Sequence, residues 1–242
     1  MRFAVELIML AVLLVCAWSG YKKGLVMGVG TIIAIVISLY MGNLLSETFS
    51  PQAAPVLKPF ISGYMDGTEG VVGDKLDELL GSSGDAKLSV EDVLKNRPEV
   101  SFELAKGSYT ELGVYERTAE KMAAEAVDYT ELTGTSLTAS IVDVMCDNLT
   151  YYIGFILFFI LILIIITVLG NIFNLSFKIP GQDKLNDIGG LVCGVVIGIV
   201  FCIIIAWVLK FLGILLPEEE MRKTLITGLF LKLDILSRIL AV

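Results

Sequence analysis

The stretch GLVCGVVIGIVFCIIIAWVL, residues 190–209, decides the fold class. Its 20 residues carry no charge, and about 20 apolar residues are what a helix needs to cross the hydrocarbon of a bilayer. Gly190, Gly194 and Gly198 recur every fourth residue, which puts them on one stripe of that helix. In a membrane such a stripe lets another backbone approach within van der Waals range, because no side chain stands between. A second series, Gly20, Gly24 and Gly28, spans the turn between the first two apolar runs. Helix-packing positions are therefore expected at all six glycines.

Working outward, the chain has 242 residues, 55% of them hydrophobic, far above a soluble domain. Four apolar runs stand out, at 4–20, 25–45, 151–175 and 188–216. The third contains YYIGFILFFILILIIITVLG without a charge and reads as a spanning helix. The first is preceded by Arg2 and followed by Lys22 and Lys23, the reverse of a secretory signal, so it is expected to be a retained helix. The expected architecture is an all-α membrane protein with four transmembrane helices arranged as two hairpins. Its parts are a hairpin at 1–46, an acidic segment at 47–148, a second hairpin at 149–216 and an amphipathic interfacial helix at 217–242.

Charge sets the orientation. Lys22 and Lys23 lie in the first short turn, and Lys178 and Lys184 in the second. By the positive-inside rule both turns face the cytoplasm, so residues 47–148 and both termini are expected on the extracytoplasmic side. That segment holds 19 acidic and 8 basic side chains, a net of −11 that leaves +3 for the rest of the chain. Such a surface excludes nucleic-acid binding and is repelled by anionic lipid. It serves solubility, or else a cation or basic-peptide partner.

Within the acidic segment, Pro51, Pro55 and Pro59 predict a linker leaving the membrane. GSSGDAK at 81–87 predicts a break, and Ser89 with Asp92 a capping box. Leu112, Tyr115, Ala119, Met122, Ala126 and Tyr129 alternate at spacings of three and four, the stripe of an amphipathic helix. At the other end, Pro217 followed by Glu218, Glu219 and Glu220 opens a helix. There Leu225, Leu229, Leu233, Leu236 and Leu240 line one face, opposite Lys232 and Arg238. Its charges favour an interfacial position over a fifth span.

Chemistry is sparse. The chain has no histidine, which removes the usual general base and metal ligand. Cys16, Cys146, Cys193 and Cys202 lack metal or redox spacing and read as structural thiols. Asp143 and Asp147 are one helical turn apart at the entrance to the third run, a spacing that could present two carboxylates to one cation, and they read instead as solvated boundary residues. Glu6 and Lys210 sit near run ends, and no charge lies deep in the second or third run, which argues against secondary transport. No catalytic residue, cofactor or metal site is expected.

The order of elements carries a resemblance. An apolar run, GYKKGLVMG, a second run, a polar segment, a third run, IPGQDKLNDIGGLVCGVVIG and a last run together resemble the colicin V production protein (CvpA) family of bacterial inner-membrane proteins. Matching features are the basic turn ending in Lys23 and Gly24, and the series Gly190, Gly194, Gly198 after a loop with Pro180 and Gly181. The segment 47–148 is an enlarged insertion relative to the family's smaller members. Where the family often has Asp then Arg before the series and a basic residue before its last glycine, this chain has Asn186, Asp187 and Ile197. The resemblance implies a non-enzymatic multi-pass protein of the bacterial inner membrane, required for producing or exporting a peptide toxin and for envelope maintenance. Two readings follow. One is a scaffold whose glycine-faced helices bind each other, a second copy or another membrane or envelope protein. The other is a small oligomeric channel or permeation accessory.

Overall fold

In a computed structural model the described residues are 2–65, 70–81, 94, 100–172 and 183–233. Among them the chain is helical and no strand occurs. The elements are α1 Arg2–Met65, α2 Val71–Leu80, α3 Ser101–Glu111, α4 Glu116–Thr133, α5 Leu137–Ile172, α6 Asp183–Leu209, α7 Glu218–Arg222 and α8 Ile226–Leu233. Among the described residues three helices are long and apolar enough to cross a membrane: α1, the Leu137–Gly170 part of α5, and α6.

α1 is 64 residues long but is not one rod, because Gly24 departs from helical geometry at φ 82°, ψ 174°. Only glycine adopts that left-handed φ without a Cβ clash. The contacts of Gly20 and Gly28, one turn to either side, converge on the same stretch of α6, at Gly190 to Gly194. The chain therefore doubles back at Gly24, and the two arms of α1 form a hairpin.

The second arm corrects the expected linker, since Pro51, Pro55 and Pro59 lie inside the helix, which continues to Met65. Each proline removes one backbone donor, but four-residue spacing confines the losses to one stripe. All three are exposed, so the carbonyls that lose partners can turn to water. The C-terminal region also differs from the single helix expected over 217–242. Among the described residues it is α7 and α8, interrupted at Lys223 to Leu225. Thr224 bends the chain there by donating its hydroxyl to the Met221 carbonyl at 2.6 Å.

Further boundaries move for similar local reasons. α6 ends at Leu209 rather than running to 216, because residues 210–217 bond elsewhere, as set out below. The stripe read from Leu112 contains a turn, with α4 starting at Glu116 after Gly113 at φ 81°. Ala119, Met122 and Ala126 are buried as core, whereas Tyr129 is exposed. Residues 82–87 of the expected break, the Ser89/Asp92 cap, Lys178, Pro180, Gly181, Leu236, Arg238 and Leu240 lie outside the described residues.

The chain divides into two compact units. One comprises residues 1–47, 154–209 and 218–242, and the other residues 48–153 and 210–217. The second unit has a core of Met65, Leu76, Leu104, Tyr109, Ala119, Met122 and Ile141, each at most 2% exposed. Tyr109 is placed there by a hydrogen bond that its hydroxyl donates to the Ile141 carbonyl at 3.0 Å. A buried hydroxyl without such a partner would cost about 1–3 kcal/mol. Lys75 and Lys106 tie the helix surfaces, Lys75 to Glu78 and Glu111, and Lys106 to Glu116 and Glu120. Residues 210–217 join this unit through three bonds. Tyr115 N–H donates to the Lys210 carbonyl at 2.8 Å, Gly213 N–H to the Gly113 carbonyl at 2.8 Å, and the Tyr115 hydroxyl to the Leu216 carbonyl at 2.8 Å.

Candidate helix-packing site

The first unit is organised around a seam where backbone meets backbone. The first arm of α1 runs antiparallel to α6. Gly198 faces Leu13 and Cys16, Gly194 faces Cys16 and Ala17, and Gly190 faces Gly20 and Gly24. A Cβ added to Gly20 would lie 2.7 Å from the Gly194 Cα, and one on Gly190 would lie 2.8 Å from the Gly24 Cα. Neither position has room for a methyl group, which is the physical reason for glycine on both helices. Gly28, on the second arm, packs against Cys193, 2.7 Å from the Cβ position to the cysteine Cβ. Farther along, the Met9 carbonyl receives the Cys202 thiol at 3.7 Å.

At the turn the seam acquires a polar clamp. Asn186, in the first turn of α6, is 1% exposed and accepts the Leu25 N–H at its Oδ1 at 3.1 Å. Leu25 begins the second arm, whose first amides have no intrahelical acceptor. Asn186 thus acts as an N-cap supplied by another helix. Its Nδ2 is buried without a hydrogen-bond partner and lies against Gly24, where a Cβ would come within 2.8 Å of the Asn186 Cγ. A second such cap secures α8, because Glu6 accepts the Ile226 N–H at 2.8 Å and the Thr227 hydroxyl at 3.4 Å. Arg2 pairs with Glu220 at 3.5 Å on the same side.

The rest of the unit is apolar. Gly42 abuts the backbone of Phe159, whose N is 3.2 Å from the Cβ position. Phe155 stands edge-on to Trp207 at 5.1 Å and Phe159 to Phe201 at 6.3 Å, which locks α5 to α6. Of the basic residues that set the expected topology, Lys22, Lys23 and Lys184 are exposed. Lys22 lies over the Trp18 ring at 5.2 Å, and Trp18 stacks with Tyr21 at 6.1 Å. Such aromatic and basic side chains suit the headgroup level of a bilayer. Residues 124–234, from within α4 to just past α8, match the protein family described as colicin V production protein.

No curated protein and no solved structure matches the chain. The matched region contains Asn186, Gly190, Gly194 and Gly198. It does not contain Gly20, Gly24 or Gly28, so the matched region supplies one side of the seam and α1 the other. Among the described residues no cluster of three Cys, Asp or Glu side chains is placed to hold a metal ion. Asp143 is paired with Lys58 rather than presented beside Asp147 as a free carboxylate. The four cysteines are unpaired, with Cys146, Cys193 and Cys202 buried. Two contributors are hard to find in a sequence. Asn186 gives a signal as a lone amide opening an apolar run, whereas nothing local marks Glu6 as the cap of a helix 220 residues away.

Proposed function

We propose that this chain is a non-enzymatic scaffold of the bacterial inner membrane, crossing the bilayer four times as two hairpins. Residues 47–148 and both termini face outward. Its role is in the production or export of a peptide toxin and in envelope maintenance. The family description supports the toxin role, and Lys22, Lys23, Lys178 and Lys184 on the two short turns support the orientation.

The observation that carries the reading is the glycine seam. A hairpin and a helix brought together backbone to backbone form a rigid platform, and the close fit between Gly20 and Gly194 leaves no room between those helices for a permeation path. That is why the scaffold is preferred over a glycine-lined channel. A scaffold acts through what it holds, so crosslinking in native membranes followed by mass spectrometry is the test. A reproducible protein partner or a second copy is the expected result. Isolation of the chain alone, together with Gly194→Leu that changes neither assembly nor phenotype, would sink the reading. Ion flux through reconstituted liposomes above that of empty vesicles would favour the channel instead.

A further inference from the structure

Both glycine series are occupied inside one chain, so a scaffold must present some other surface to its partner. The second unit offers a groove of about 870 Å³ in which the glycine seam has no part. It opens where the end of α1, the length of α2 and the end of α3 meet, and Ile214 of the 210–217 segment forms part of its wall. Its volume falls within the ~300–1,000 Å³ of ligand clefts, room for a few side chains and not for a folded domain.

The lining combines charge with apolar surface. Lys75 Nζ lies 2.6 Å from Glu78 and 3.2 Å from Glu111, so carboxylates from α2 and α3 converge on one ammonium. That ammonium shows what kind of group the groove accepts. Asp74 borders the same groove one helical turn before Glu78, on the same face of α2. It is exposed, and among the described residues no basic side chain pairs with it. Three carboxylates against one ammonium leave the groove negative. Beside them Tyr64 is 68% and Ile214 71% exposed, so an uncompensated carboxylate stands next to open aromatic and aliphatic surface.

We propose that this groove docks a basic segment of a partner protein, with an arginine or lysine on Asp74 and a neighbouring large apolar residue against Tyr64 and Ile214. The inference rests on the scaffold reading and names the chemistry of what is held. Charge selects the occupant. Nucleic acid and anionic lipid bring negative charge to a negative groove, as does a second copy of a segment that carries a net −11. A divalent cation is disfavoured because Lys75 already sits between two of the carboxylates, and among the described residues no three acidic side chains gather to hold a metal ion. A bare polyamine would meet Asp74 but leave Tyr64 and Ile214 in water. A peptide covers both, and the Tyr64 ring gives a guanidinium a face to lie on.

The test uses the full chain in detergent and a fluorescein-labelled hexapeptide of alternating arginine and leucine, read by anisotropy. The peptide is expected to bind, and its counterparts with glutamate for arginine or serine for leucine to bind more weakly. Asp74→Asn and Tyr64→Ala, both at exposed positions, should each weaken binding about two- to fivefold with an unchanged unfolding midpoint. Glu131→Gln removes the same charge at another exposed position of the unit and should leave binding as it was. Failure of the unaltered chain to bind, or equal affinity in Asp74→Asn, refutes the groove, and an equal loss in Glu131→Gln refutes it in favour of diffuse charge. Displacement by spermidine together with a silent Tyr64→Ala refutes the peptide and leaves a bare cation site. Crosslinking in native membranes separates this from the scaffold reading. If Asp74→Asn holds the same partner as the unaltered chain, the groove is refuted and the scaffold stands. If neither chain holds a partner yet the peptide still discriminates, the groove stands as a peptide site and the scaffold falls.

Discussion

At the scale of single residues, the seam makes glycine replacements unequal. Gly24 combines a positive φ with contact to Asn186, so Gly24→Ala meets both a backbone penalty of about 1–3 kcal/mol and the displacement of the side chain that caps the second arm. Gly190→Ala drives a methyl group into the backbone of Gly20 and Gly24, an overpacking cost of about 1–3 kcal/mol. Gly30 sits on the same arm with nothing within 4 Å. Gly30→Ala should therefore leave stability unchanged or raise it by about 0.4–1 kcal/mol. Thermal unfolding of the three variants in detergent checks the order, and equal midpoints would refute the seam. Spacing in the sequence locates the stripe on which each glycine lies, but not what that stripe faces. The pairing of Gly20 with Gly190 and Gly194 emerges only when two stretches some 170 residues apart are folded together.

At the scale of elements, helical class and the apolar runs are legible because hydrophobic length is a local property. Helix ends are less so. Pro51, Pro55 and Pro59 look like a linker from any window around them, yet the helix persists, since core contacts through Ala54 and Met65 hold its other face. α8 shows the converse. It is only eight residues long, too short to persist unaided, and its first amides are capped by Glu6. Glu6→Ala should cost about 1 kcal/mol locally. The amides of Ile226 and Thr227 should then exchange faster in hydrogen–deuterium exchange, while those in the middle of α6 keep their protection. Unchanged exchange at Ile226 would show that α8 is held by its apolar contacts instead.

At the scale of the whole molecule, the two units should respond differently to alkali. In the second unit, hydrogen bonds from Lys75 to Glu78 and from Lys106 to Glu120 raise both ammonium groups above their ordinary range, and burial raises the Tyr109 hydroxyl. All three shifts have one sign, since the folded state holds the proton more tightly than the unfolded chain does. The stability they contribute is present below the unfolded values, about 10 for Tyr and about 10.4 for Lys, and is lost as pH rises past them. The contact of Gly20 with Gly190 and Gly194 is made by backbone atoms alone. Proteolysis of the second unit should accelerate above about pH 10 while α6 stays protected. Tyr109→Phe should remove part of that pH dependence, and an unchanged profile would exclude the tyrosine from it.

The three bonds that tie Tyr115 and Gly113 to residues 210–217 have a consequence in time. A ribosome makes Tyr115 long before Lys210, and α5 and α6 must be threaded out in between. During that interval the Tyr115 amide and the Gly113 carbonyl have no native acceptor or donor. Those bonds of the second unit can therefore form only after α6 has been synthesised. A nascent chain halted before Lys210 should remain open to protease at Gly113, and one released after Leu216 should not.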